Sequence, residues 1–119
     1  MTDPVSAAVA PQTRARLAQW AGERADQEPP RELVRAVLRD LAANHPGRSV
    51  ELRVPPVGAV QLVAGPVHRR GTPRATVEMA PDVLVDLVLG RRTWRDGVAN
   101  GVIVASGERS DLSHLFGGT

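Results

Sequence analysis

The chain has 119 residues, 42% of them hydrophobic, which fits one domain with its own core and is too short for two. It contains no cysteine, so its composition excludes disulfides, thiolate metal sites and a cysteine nucleophile. The 15 basic residues are all arginine and face 13 acidic ones, and the two signs alternate along the chain as on a solvated surface.

The N-terminal part predicts a flexible lead-in followed by a helix. Residues 1–11 contain two prolines and several alanines without a periodic pattern, which is typical of a loose terminus. From Gln12 to Asp26, Leu17 and Trp20 fall at helical spacing, and Pro11 suits a first helical turn. We therefore place a single domain at 12–119, with N-terminal helices within 12–44 and the sheet and C-terminal helices within 48–116.

A second helix is predicted after Pro29 and Pro30, the latter being suited to a helix start. Asn44 to Gly47 end it with residues that favour a helix end and a turn. Its apolar stripe is expected to lie in the core and consists of Leu33, Val34, Val37, Leu38 and Leu41.

Three strands are expected next. Val50 to Val54 alternates apolar and polar residues, the pattern of a strand with one face in water. Val57 to Ala64 is nearly all apolar, which predicts a strand covered on both faces and central in the sheet. Ala75 to Met79 alternates again and forms the third strand.

The last third predicts a helix from Pro81 that Gly90 ends, and then a short helix at Trp94 to Ala99. A strand at Val102 to Ala105 follows, and Ser110 or Asp111 is expected to cap a final helical turn.

No apolar run approaches the ~20 residues that cross a bilayer, and the N-terminus lacks the pattern of a signal peptide. We expect a cytoplasmic protein without stable membrane insertion.

Residues 48–115 resemble the bacterial sterol-carrier family proteins. The resemblance lies in VPPVGAVQ, in the Gly-Thr-Pro of Gly71 to Pro73, in GRRTWRDGVANG and in ASGERSDLS, and the helix before the sheet fits it too. It implies a non-enzymatic α+β domain of bacterial origin, with a curved, mainly antiparallel sheet of four to five strands covered by helices and preceded by an N-terminal helical segment.

In lipid-carrying relatives an apolar tunnel lies between sheet and helices, so the resemblance implies a fatty acid, acyl-coenzyme A or sterol-like ligand and no cofactor. The same side chains would equally build a closed core. The candidate lining residues, which we expect to converge between the sheet and the two later helices, are Val60, Leu62, Val77, Met79, Leu84, Leu87, Val88, Trp94, Val98, Val102 and Val104.

The basic loop HRRGTPR allows two functional interpretations besides a solvated loop. Arg69, Arg70 and Arg74 are candidates for holding a phosphate or carboxylate headgroup, since guanidinium groups bind such anions in a two-pronged geometry. A nucleic-acid surface is disfavoured, because aromatic residues make up 3% of the chain and none lies among these arginines.

The three histidines, His45, His68 and His114, are isolated in sequence and predict no metal site. An acid–base pair of His68 and Glu78 is conceivable, but no spacing requires it.

A second class of function is a partner-binding accessory module with a filled core. Sterol-carrier-like domains also occur as parts of larger enzymes, and the helix that carries Leu17 and Trp20 would be the contact surface for a protein partner or a second copy of the chain.

Overall fold

A computed structural model describes residues 8–24, 26–65 and 74–116. Over these residues the protein is an α+β domain, in agreement with the predicted class. In chain order the elements are α1 (Pro11–Arg24), α2 (Arg31–Asn44), β1 (Val50–Val54), β2 (Gly58–Leu62), β3 (Ala75–Met79), α3 (Pro81–Leu89), α4 (Trp94–Ala99), β4 (Ile103–Ser106) and a 3₁₀ turn (Ser113–Leu115).

The helix α2 buries the predicted stripe. It begins directly after Pro30 and ends at Asn44, close to the limits that the prolines and the His45–Gly47 turn predict. The buried side chains on its inner face are Leu33, Val34, Ala36, Val37, Leu38 and Leu41. Except for Ala36, these side chains form part of a single core shared by the described helices and the sheet.

The four described strands form one sheet in the order β2-β1-β3-β4. β1 pairs antiparallel with β2 and parallel with β3, and β3 pairs antiparallel with β4, so the sheet is mainly antiparallel with one parallel pair. Leu52 in β1 lies between Val60 of β2 and Val77 of β3. The two strands of the parallel pair, β1 and β3, are therefore at the centre of the sheet.

The prediction that Val57 to Ala64 forms a central, doubly covered strand is wrong. β2 is at the edge of the sheet, and Gly58 and Ala59 are exposed while Val60 is only half-buried. β1 takes its second partner from β3, which returns to the sheet on the other side of β1, and β2 therefore has no second neighbour among the described strands.

One face of the sheet carries the core and the other is polar. Val50, Leu52 and Val54 alternate with the more exposed Glu51 and Arg53 in β1. β3 has the same alternation, with Ala75, Val77 and Met79 inward and Thr76 and Glu78 outward. α2 packs on β2 and α4 on β4, whereas α1 lies against α2 and α3.

The described packing begins at Ala8, before the predicted boundary at Gln12. Ala8 and Val9 are fully buried, and the side-chain amide of Asn44 donates to the Ala8 carbonyl at 3.1 Å. The Ala10 amide donates to Asp40 at 3.1 Å. These contacts hold the chain that enters α1 against α2, while residues 1–7 lie outside the described part.

The end of the chain also enters the core. Asp111 accepts a hydrogen bond from the Ser113 amide at 2.9 Å, but the turn is 3₁₀ and its N-cap residue is Leu112, which makes no side-chain cap bond, so the prediction that Ser110 or Asp111 caps it is wrong. Leu112, Leu115 and Phe116 are buried, and the Phe116 ring stacks on Trp94 with centroids 6.3 Å apart. Within the described segments, no helix is long and apolar enough to cross a membrane.

Candidate functional site

Seven of the predicted lining residues lie in the core, where they pack closely. Leu62, Val77, Leu84, Leu87 and Val88 have no accessible surface, and Met79 and Trp94 are exposed by 2% and 6%. A side chain without accessible surface has no water-sized space beside it. The region between the sheet and α3 is therefore filled by the protein's own side chains.

The valines Val98, Val102 and Val104 lie apart from these core residues. They are exposed by 43%, 37% and 60%. Val104 is paired with Glu78 on the polar face of the sheet, opposite to the face that carries Val77 and Met79. The remaining member of the predicted set, Val60, is half-buried on the edge strand.

The fully buried inward residue of β4 is Ile103, which is not among the predicted lining residues. It pairs with Met79 and is 2% exposed. Because side chains alternate along a strand, assigning Val102 and Val104 to the core face displaces the alternation by one residue. Gly97 in α4 lies directly over the Ile103 side chain, since a Cβ atom built on Gly97 would come within 2.3 Å of Ile103 Cδ1.

Three residues of the predicted set meet at an open groove beside the ends of β3 and β4. Met79, Val102 and Val104 line it, with a volume of ≈ 250 Å³. The other lining residues are Pro55, Glu78 and Ala80. We call this the valine groove. It offers apolar surface on the outside of the domain and one carboxylate, Glu78, at its wall.

The predicted headgroup arginines are only partly within the described chain. Arg69 and Arg70 lie outside the described residues, as do His68 and the Gly-Thr-Pro of 71–73. Arg74 is half-buried just before β3. Since Met79 lies five residues further along an extended strand, Arg74 is about 17 Å from the valine groove at ~3.4 Å per residue.

Two further arginines bind a carboxylate of the protein itself. Arg91 and Arg92 both contact Asp86 near the end of α3, at 2.5 Å and 3.6 Å. The Arg92 Nε atom is buried without a hydrogen-bond partner in the described structure. This cluster joins the end of α3 to the chain leading into α4.

Two histidines that are distant in sequence meet at the end of α2. The rings of His45 and His114 contact each other edge to face, with centroids 6.1 Å apart. Burial lowers the pKa of His45, and a positive charge on His114 lowers it further. Across the described residues, no group of three or more histidine and carboxylate side chains is placed to hold a metal ion.

The partner surface predicted on α1 is a mixed groove. Its volume is ≈ 230 Å³, and it is lined by Arg16, Gln19, Trp20, Glu23, Arg24 and Leu33. Trp20 is half-buried and also packs against the core. Polar and charged side chains surround the indole, so the exposed apolar surface there is small.

The fold is a small α+β domain in which helices pack on one four-stranded sheet. Residues 23–117 match the family model described as bacterial SCP ortholog. Since the match covers most of the chain, the protein belongs to this sterol-carrier-protein-like family, as the sequence motifs predict. No curated protein matches the chain in sequence.

Proposed function

We propose that the protein is a non-enzymatic module that binds an apolar small molecule, and that the ligand contacts it at the valine groove. The ligand class is a fatty acid, an acyl-coenzyme A or a sterol-like lipid. Family membership supports the general role. The main support for this ligand site is that Val102 and Val104 are exposed beside Met79 in one groove.

The groove is favoured over the interior because its apolar surface is already accessible. Leu84, Leu87 and Val88 are fully buried, so a ligand could reach them only if the helices moved away from the sheet. Val104 is 60% exposed in the folded protein. Covering apolar surface gains about 25 cal/mol per Å², and each methylene of an acyl chain gains about 0.8 kcal/mol, from which the cost of association is subtracted.

Native mass spectrometry tests the proposal directly. The purified protein is measured alone and after incubation with palmitate, palmitoyl-coenzyme A or cholesterol. We expect a one-to-one adduct with at least one of them. Val104→Asn should weaken binding about three- to tenfold, since it places an amide on the apolar wall of the groove.

Ala59→Asn is the matched control for Val104→Asn. Both residues are exposed on the same polar face of the sheet, in the row that runs from Ala59 through Arg53 and Glu78 to Val104. They lie on opposite edge strands, so Ala59→Asn should leave binding unchanged. Absence of an adduct with all three ligands, or equal effects of the two substitutions, would contradict the proposed site.

The second candidate function is a partner-binding module, and the filled core favours it. A domain whose central side chains are fully buried needs no ligand to complete its packing. The contact surface would be the α1 groove around Trp20. Sedimentation of the purified protein tests self-association there: a dimer that Trp20→Gln dissociates supports a homodimer, and a monomer at all concentrations removes that form of the proposal.

A further inference from the structure

We propose that the contact between His45 and His114 is a pH-sensitive latch that holds the C-terminal turn, residues 112–116, on the core. The latch is independent of the proposed function. It rests on the position of the two rings: His45 follows the last residue of α2, and His114 lies in the middle of the 3₁₀ turn. Their edge-to-face contact joins the end of α2 to the C-terminal turn.

The His45 side of the latch is fixed to the body of the domain. The His45 amide donates to the Leu41 carbonyl at 2.8 Å, and its carbonyl accepts from the Val63 amide at 2.8 Å. His45 is half-buried, whereas His114 is exposed. His45 is therefore the fixed ring of the pair, and His114 is the ring that can move with the turn.

The C-terminal turn is held by few backbone bonds and by its apolar side chains. The Leu115 amide donates to Leu112 and the Phe116 amide to Ser113, both at 2.9 Å, so these two bonds are internal to the turn. Leu112 and Leu115 have no accessible surface. Release of the turn would therefore uncover these leucines and the Trp94 face on which Phe116 stacks.

Imidazole rings acquire charge between pH 8 and 5, and two charged rings at this separation repel each other. Three other charged groups lie on the elements around the pair. Asp111 directly precedes the C-terminal turn, and its negative charge attracts a charged His114. Arg48 is bound to Gln61 of β2 at 3.0 Å, and the Arg109 Nη1 atom is 3.2 Å from where a Cβ atom of Gly65 would stand. The charge that acts on His45 is that of His114.

The lowered pKa of His45 gives the direction of the effect. The folded protein favours neutral His45, so its contribution to stability is fully present above the ordinary value of 6.5. It is lost progressively as the pH falls from there towards the lower pKa of the folded state. The pKa of Asp111 is also lowered, by hydrogen bonds from the Ser113 amide and hydroxyl and then by His114, and burial opposes them. Since the ordinary pKa of this carboxyl group is 3.8, Asp111 titrates below the pH range in which imidazole rings acquire charge.

Amide hydrogen exchange at single-residue resolution tests the latch. After correction for the intrinsic rate, exchange of the Leu115 and Phe116 amides should rise about three- to tenfold between pH 7.5 and pH 5.5. Exchange of the Leu52 and Val77 amides in the central strands reports global unfolding and should change much less. In a Trp20→Phe background, Trp94 emission should shift to longer wavelength over the same range.

His114→Asn removes the mobile charge from an exposed position and should abolish the pH dependence at Leu115 and Phe116. His45→Asn should have the same effect from the other side. His68→Asn is the control, since it removes an imidazole that is not a member of the pair, and it should retain the full response. If His114→Asn keeps the response, or if the central strands exchange faster in parallel with the turn, the latch does not exist.

Discussion

Asp40 fixes the start of α1, and its replacement by alanine should lower stability by about 2–4 kcal/mol. Its Oδ2 atom accepts from the Ala10 amide at 3.1 Å and from the Thr13 hydroxyl at 2.7 Å. Each bond to a carboxylate contributes about 1–1.5 kcal/mol at a partly exposed site. A negative charge beside the N-terminal end of a helix adds about 0.3–1 kcal/mol.

Thermal and urea unfolding measure this effect. For a chain of this size 1 kcal/mol shifts the midpoint by about 3–5 °C, so Asp40→Ala should unfold roughly 6–20 °C earlier. Asp40→Asn keeps an acceptor oxygen and should lose about half as much. Thr13 is only 8% exposed, and Thr13→Val should be coupled to Asp40→Ala by about 1 kcal/mol in a double-mutant cycle.

Asp82→Ala is the matched control for Asp40→Ala. Asp82 is an exposed carboxylate in the first turn of α3, where it has a helix-end position but accepts no hydrogen bond from a described residue. Its removal should lower stability by less than about 1 kcal/mol. Equal losses for Asp40→Ala and Asp82→Ala, or additive effects of the Thr13 and Asp40 changes, would refute the role of the two hydrogen bonds.

Three glycines give further predictions, each measured by urea unfolding. Gly97→Ala should destabilise the domain by about 1–3 kcal/mol, because the new methyl group meets Ile103 Cδ1 at 2.3 Å; a loss below about 0.5 kcal/mol would show that Ile103 rotates away freely. Gly22→Ala should instead stabilise it by about 0.5–1 kcal/mol, since nothing lies within 4 Å of the added Cβ in the helix α1; a destabilised variant would contradict this. Gly47→Ala should be the most damaging, at least about 3 kcal/mol, because Gly47 has φ 153° and its Cβ would stand 2.0 Å from the Val63 carbonyl oxygen; a folded variant of near-normal stability would disprove that packing.

The helices were predictable because their signals are local. Pro30 and the turn after Asn44 limit α2, and the stripe between them is buried as predicted. Pro81 occupies the first turn of α3, and Gly90 ends it in the left-handed conformation at φ 74°. Each of these signals acts within a few residues, so no knowledge of the rest of the chain is needed to interpret it.

The predictions for the sheet are wrong where the position or orientation of a strand depends on a distant part of the chain. The apolar run of β2 matches a central strand, but the parallel pairing of β1 with β3 leaves β2 at the edge. At the start of β4, Val102, Ile103 and Val104 are all apolar, so the sequence contains no alternation that shows which side chains face inward. In the folded protein Ile103 faces inward beneath α4, where Gly97 leaves space for its side chain.

The candidate site was the least predictable part for the same reason. His45 and His114, or Asp40 and Thr13, come together through the packing of elements that are far apart in sequence, and no spacing rule connects them. The valine groove was found in part, through Met79, Val102 and Val104, although these residues were expected to face the interior.

The filled core limits where an apolar ligand can bind in this chain. An interior pocket of about 300 Å³, the lower end for ligand sites, would destabilise the empty protein by about 7 kcal/mol at ~24 cal/mol per Å³. That is a large share of the 5–15 kcal/mol that typically stabilises a domain. The valine groove already exists in the folded state and carries no such cost. Ligand binding there should therefore slow exchange near Val104 and leave the amides of Leu84 and Leu87 unchanged, whereas an interior ligand would alter the exchange of both leucines.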